Sequence, residues 1–155
     1  MNLLPRRGLL AVAAVVDIAY HARPTPISAK TLAARHGLRP RHLETLLQVL
    51  VRAGILKGVR GPRGGYELAR ERRRISIADI VLAALGQNGE GKPDADDDAD
   101  DEDSSLIGEV VTPMISSASR SFLERLDEIT VDELCREAER RAVFDDKRPV
   151  HDFTI

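Results

Sequence analysis

Two clusters of basic residues are the groups with chemistry to perform. Arg39, Arg41 and His42 surround Pro40 at the head of an apolar-periodic stretch, and Arg60 and Arg63 lie in VRGPRGGYELAR, residues 59–70. Cations at a helix N-terminus oppose the macrodipole, at a cost of about 0.3 to 1 kcal/mol each. The placement is poor for stability alone and makes sense where phosphates and base edges occupy that end of the helix. Along the same stretch Arg41, Thr45, Gln48 and Arg52 fall on one stripe, with Glu44 and His42 beside it. Ser28 and Lys30, at the head of the preceding helical stretch, join the candidate DNA-binding set. A solvated helix face would account equally well for an isolated basic stripe.

The glycine-rich loop shifts that balance. Ile55, Leu56 and Val59 before it, and Tyr66 and Leu68 after it, are two short strand candidates, so the segment reads as a β-hairpin. Gly61, Gly64 and Gly65 permit positive φ angles and close backbone approach, while Pro62 stiffens the tip. Arg60 and Arg63 are then held away from the body, where a cation can enter a narrow minor groove or grip phosphate. Neither G-x-x-x-x-G-K-[ST] nor G-x-G-x-x-G is present. A purely structural hairpin would need the glycines but not the arginines, and with them the loop reads as a DNA-binding wing.

No nucleophile-base pair or phosphate loop supports an enzyme. Cys135 is the single cysteine, so no intramolecular disulfide can form and nothing argues for an oxidising compartment. Beside Arg136 it is a candidate redox sensor if its thiol is exposed and acidic, and otherwise an inert packing residue. His21, His36, His42 and His151 show no metal-ligand spacing, and solvated or capping roles suit each. No cofactor is expected.

These side chains need elements to position them. A chain of 155 residues can form one domain with a real core, or a small domain with a dimerising arm. The formal charge of −2 conceals a division: residues 1–86 hold 15 Lys and Arg against 5 Asp and Glu, whereas residues 87–155 hold 8 against 20. Such asymmetry suggests a nucleic-acid-facing half and an acidic remainder. The opening PRRGLLAVAAVVDIAYHA places two arginines before an apolar run, as an export signal does, but Asp17 interrupts it and no small-x-small cleavage site follows. No stretch reaches the length of a membrane span. A cytoplasmic protein is expected, with no membrane partner. Its first helix, Arg7 to Ala22, is apolar on more than one face and so buried or shared with a partner chain.

The segment PTPIS ends that helix. Ser28 can cap AKTLAARH, whose Ala29, Leu32 and Ala33 share a side before Gly37 supplies a stop. Pro40 suits the first turn of the next helix, in which Leu43, Leu46, Leu47 and Leu50 form one apolar face. Ser76 and Asp79 make a capping box for a fourth helix, IADIVLAAL, with Ile77, Ile80, Val81 and Ala84 inward. Next comes a run with eight acidic residues among the ten from Asp94 to Asp103, whose composition predicts a disordered polyanion. It lacks the spaced pattern of a calcium loop. Leu106, Ile107, Val110, Val111, Met114, Ile115, Ala118, Phe122 and Leu126 then give a long amphipathic helix with a dimerisation seam. Pro113 must either kink this helix or mark its start with Thr112 as cap. Thr130 and Glu133 make another capping box, with Ile129 and Leu134 as its hydrophobic staple, and the last helix follows to about Arg141. The expected fold class is mainly α with a small β-hairpin. It comprises a winged helix-turn-helix domain over 1–86, an acidic disordered loop over 87–105, dimerisation and C-terminal helices over 106–143, and a tail over 144–155.

The run HLETLLQVLVRAGILKGVRGPRGGYELAR, residues 42–70, resembles the most characteristic segment of the Rrf2 family of bacterial winged-helix transcription regulators. RRGLLAVAAVVDIA resembles the family's first helix and ITVDELCREA its closing segment, so the likeness spans most of the chain except residues 87–105. The resemblance implies a homodimer in which one long helix from each chain crosses the other, presenting two heads to palindromic double-stranded DNA. By position it implies that Arg41, Glu44 and Thr45 read bases and that Arg60 enters the minor groove. Many relatives hold iron-sulfur clusters through three closely spaced cysteines between the fourth helix and the dimerisation helix. Here that interval is the aspartate run, without a cysteine, so the usual cluster is expected to be absent. The function expected is a homodimeric, sequence-specific DNA-binding regulator acting as a repressor. A winged-helix adaptor that binds protein instead of DNA is the main alternative, and an exported protein is a third.

Overall fold

The structure is a computed structural model that describes residues 3–23, 25–86 and 105–144. The expected polyanion and the tail from residue 145 lie outside the described residues. In chain order the elements are α1 (Arg6–His21), α2 (Ala29–His36), α3 (Pro40–Arg52), β1 (Leu56–Val59), β2 (Gly65–Leu68), a 3-10 turn (Arg72–Arg74), α4 (Ile77–Ala84), a π-helical turn (Ile107–Val111), α5 (Thr112–Asp127) and α6 (Val131–Arg140). The first three helices and the hairpin make a winged helix-turn-helix.

The local signals that shape this head act as short-range chemistry predicts. Ser28 Oγ accepts from the Thr31 amide at 3.1 Å and starts α2. Gly37 ends it in the left-handed region, at φ 62°. Pro40 opens α3, where its missing N–H removes no helical bond. Leu43, Leu46, Leu47 and Leu50 are buried on one face of α3, as their spacing requires. Both capping boxes form, at Ser76 with Asp79 and at Thr130 with Glu133. Ile129 and Leu134 both pack partly buried against the core.

α1 lies at the centre and packs on α3, α4, α6 and β2. Ala11, Ala14, Val15 and Ile18 are essentially without exposure, which explains why this helix is apolar on more than one side. A single core joins them to Leu32, Leu47, Leu50, Ile75, Ile80 and Val81. α6 belongs to this core as well. Val131 N–H donates to the Ile75 carbonyl at 2.9 Å and Ile77 N–H to that of Ile129 at 2.9 Å, so the chain returns to the head after α5.

β1 and β2 pair antiparallel, with Leu56 opposite Leu68 and Gly58 opposite Tyr66. The three loop glycines serve different purposes. Of them only Gly61 adopts positive φ, at 119°. Gly64 and Gly65 are needed for close approach. A Cβ at Gly64 would stand 2.2 Å from the Val59 carbonyl oxygen, and one at Gly65 would stand 2.4 Å from the Ile27 carbonyl carbon and oxygen. Gly65 thereby lets the wing root lie against the backbone that leads into α2.

Pro113 is the second residue of α5, and the helix runs into it from the π-helical turn without a break. Thr112 is helical at φ −60°, ψ −48° and follows the π-helical turn directly. The residue expected as a cap is therefore itself helical, the first of α5. A proline lacks its N–H and crowds the carbonyl four residues back, and a widened turn just ahead of it accommodates both effects.

Candidate nucleic-acid interface

The helix-turn-helix brings most of the sequence-derived candidates to one exposed surface. Arg39 occupies the N-cap position of α3, where its side chain makes no capping bond. Arg41, His42, Glu44, Thr45 and Gln48 follow along the exposed side of the helix. Thr45 Oγ1 donates back to the Arg41 carbonyl at 3.2 Å, which leaves its methyl group and oxygen lone pairs for an external partner. At the wing, Arg60 and Arg63 are exposed beyond the strand ends. The side chains of Arg39, Arg41, Arg60 and Arg63 make no hydrogen bond or ion pair among the described residues. A cation without an internal partner sacrifices nothing when it meets a phosphate, and counterion release supplies the driving force.

Helix and wing are joined directly. Gln48 Nε2 donates to Tyr66 Oη at 3.2 Å, so the side chain that the sequence places on the exposed stripe of α3 is tied to β2. Sequence reasoning placed Tyr66 only in a strand. The signal that could have found it is a tyrosine opposite a glycine, Gly58, in a two-stranded sheet, where its ring has no cross-strand side chain to meet.

At α2, Lys30 is exposed. Ser28 is differently placed. Its hydroxyl caps the helix and lies 2.9 Å from Thr31 Oγ1, so it is occupied within the protein.

Two histidines, His21 and His36, depart from the expected solvated or capping roles, whereas His42 is exposed and His151 lies outside the described residues. His21 Nδ1 and His36 Nε2 each lie 2.9 Å from an oxygen of Asp17, and Arg35 Nη1 lies 2.5 Å from the same carboxylate. Asp17 is wholly buried. This group pins α1 to the end of α2. A second buried carboxylate, Asp132, receives Arg72 and Arg136 at 2.8 Å each and docks α6 on the 3-10 turn.

Cys135 is 1% exposed. Its Sγ lies 3.9 Å from the Val16 carbonyl, and burial pushes the thiol pKa up, against a smaller downward pull from Arg72. A raised pKa lowers the thiolate fraction, the reverse of what a sensor requires. The geometry is that of a packing residue. In the folded protein Cys135 is expected to react with a disulfide reagent at least a hundredfold more slowly than in urea. A single fast phase under native conditions would contradict this.

The family model for Rrf2, described as an iron-dependent transcriptional regulator, matches residues 4–137. The HTH-type transcriptional regulator IscR of Xenorhabdus nematophila is 36% identical over 80 residues, which are 52% of this chain and 49% of that protein. IscR of Vibrio vulnificus is 36% identical over 80 residues, with 52% and 48% covered. The chain spans about half the length of these curated relatives. Among solved structures, T. potens IscR aligns with a TM-score of 0.67 and 34% identity, covering 90% of each chain. CymR, the global cysteine regulator of B. subtilis, aligns with a TM-score of 0.63 and 25% identity, covering 88% of this chain and 98% of that one. The donors among the described residues do not fit the iron of the family description. Among the described residues no group of three or more His, Cys, Asp and Glu could hold a metal ion, and the one thiol is buried in the core. With its winged head and a model match over nearly its whole described length, the chain belongs to the Rrf2 family of transcription regulators.

Proposed function

We propose that the protein is a cytoplasmic, homodimeric regulator that binds palindromic double-stranded DNA through α3 and the wing, acts as a repressor, and works without a conventional iron-sulfur cluster. The observation that carries this reading is the joined surface of unpaired cations: Arg39 and Arg41 at the head of α3, with Arg60 and Arg63 on a hairpin bonded to that helix through Gln48 and Tyr66. A recognition helix suits the major groove and arginines on a projecting loop suit the adjacent minor groove. Glu44 adds selectivity, because a carboxylate accepts from cytosine while repelling phosphate.

Dimer formation is supported by an apolar stripe that stands exposed among the described residues. Leu106, Met114 and Ile115 are 62%, 70% and 61% exposed, and Ile107, Val110 and Val111 continue the stripe. Apolar area of this kind on one face of a helix favours a second copy, and two copies related by a twofold axis match a palindrome. The absence of a cluster rests on the donor set, since a single thiolate cannot supply the usual sulfur ligation.

The test is recovery of the DNA bound in cells, followed by titration of the recovered site with the purified chain. A shared palindrome is expected, with transcription beside it rising when the gene is removed. Recovered fragments without a common sequence would sink the reading. Met114→Glu with Ile115→Glu should give monomers in sedimentation and lower palindrome affinity roughly a hundredfold, because the second half-site is no longer bound intramolecularly. Protein purified without oxygen should be colourless and hold no stoichiometric iron or acid-labile sulfide.

A further inference from the structure

We infer that Tyr66 is a positioning residue for base reading: it fixes the side-chain amide of Gln48 so that α3 recognises one adenine through it, and it locks the wing to the helix-turn-helix as one rigid body. The inference rests on the DNA-binding reading above.

Three segments meet at Tyr66. Its N–H donates to the Ile27 carbonyl at 2.8 Å and its carbonyl accepts from the Ile27 N–H at 3.0 Å, so the backbone is bonded to the chain just ahead of α2. Gly65 makes that approach possible, since a Cβ there would collide with the Ile27 carbonyl. The side chain packs partly buried against the core. Its hydroxyl then accepts from Gln48 Nε2 at 3.2 Å on the exposed side of α3. A tyrosine held at its backbone and by its ring presents Oη at a fixed point, so the partner amide is fixed too.

That constraint has a chemical consequence. An exposed glutamine has three rotatable bonds, and binding a base must freeze them. With one Nε2 hydrogen committed to Tyr66, Gln48 keeps Oε1 and its second Nε2 hydrogen, the acceptor and donor that adenine N6 and N7 require in the major groove. The rotamer entropy is lost before DNA arrives, so the amide reads at lower cost. The hydroxyl hydrogen of Tyr66 has no acceptor among the described residues, and a phosphate oxygen between helix and wing would suit it.

The experiment selects bound duplexes from a randomised pool with the full-length chain as wild type, Tyr66→Phe, Gln48→Ala and the double variant, followed by affinity measurements on the wild-type consensus. The wild type should prefer adenine at one position in each half-site. Gln48→Ala should lose that preference and about tenfold in affinity. Tyr66→Phe should weaken the same preference, leave every other position unchanged and keep the wild-type unfolding midpoint. The double variant should bind no worse than Gln48→Ala, because the two groups act as one unit. A merely structural Tyr66 would lower affinity for all sequences alike and would combine multiplicatively with Gln48→Ala, and either result overturns the inference. Gln48 is exposed on its helix, so an unchanged preference in Gln48→Ala overturns it as well, whatever the fate of Tyr66→Phe. If the wild type selects no sequence, the DNA-binding reading falls and this inference with it. A selected palindrome that Tyr66→Phe reads identically removes this inference alone.

Discussion

Replacing Arg60 with alanine is expected to weaken binding to the palindromic site by about ten- to a hundredfold at physiological salt, with no change in fold. Arg60 follows the last residue of β1, is exposed and has no partner within the described residues, so its removal takes nothing from the head. The loop that carries it is tightly built. Gly64 N–H donates to the Gly61 carbonyl at 2.9 Å, and the space that a Cβ at Gly64 would need is filled by the Val59 carbonyl. A rigid support lowers the ordering cost of each contact, which makes the arginine worth more than one on a free loop. A dimer presents it twice. If both arginines neutralise phosphate, the loss of two contacts should lower the slope of log affinity against log salt by about 1.8. If they insert into a narrow minor groove, Arg60→Lys should recover only part of the affinity, because lysine lacks the planar guanidinium and is more strongly hydrated. Titration of a labelled duplex at four salt concentrations separates the two. Wild-type affinity for Arg60→Ala at all of them would remove the wing from the interface.

What the sequence disclosed, and what it hid, divides by the range of the interactions. Helix ends were legible because their chemistry is local: Ser28, Ser76 and Thr130 act on amides three residues ahead, and Gly37 stops α2 through its own φ angle. The α3 core face was legible because four leucines at helical spacing leave one buried side. The wing was legible as a hairpin, and its arginines as groups with no structural need. Long-range facts were not. Nothing near Asp17 in the sequence announces Arg35 or His36, which reach it only once α2 is folded back on α1. The return of α6 to the head also escaped, since Cys135 meets the Val16 carbonyl across a separation of 119 residues. Tyr66 was visible as a strand residue, but its role depends on the register that sets it opposite Gly58 and on the helix beyond. Pro113 offered two outcomes, and the π-helical turn is a third that propensity does not anticipate.

The largest loss of stability is expected from Asp17→Ala, about 3 kcal/mol, read as a fall in the urea midpoint of more than about 1 M. The carboxylate is wholly buried, with Arg35 and His36 of α2 and His21 of α1 all on its oxygens. A buried carboxylate has lost its water, and these partners replace it. Taking the carboxylate away reverses the problem: three donors then face a small void beside the core. The Arg35 side chain is 37% exposed and each imidazole 23%, so all three can turn partly toward solvent. That escape holds the cost near the lower end of the range for broken buried pairs. Arg35→Ala should be milder, about 1 to 2 kcal/mol, because the carboxylate keeps two imidazoles. The double variant should cost no more than Asp17→Ala, since both changes remove the same interaction. Asp17→Asn should fall between wild type and Asp17→Ala, because an amide oxygen still accepts hydrogen bonds but carries no charge for the guanidinium. DNA affinity, measured where each variant is fully folded, should fall less than stability does. The contacts read by α3 and the wing do not include Asp17, and α2 keeps its hold on α3 through the turn at Gly37 and the buried Leu32. A midpoint for Asp17→Ala within error of the wild type would mean that the carboxylate is dispensable and that apolar packing alone sets α2 against α1.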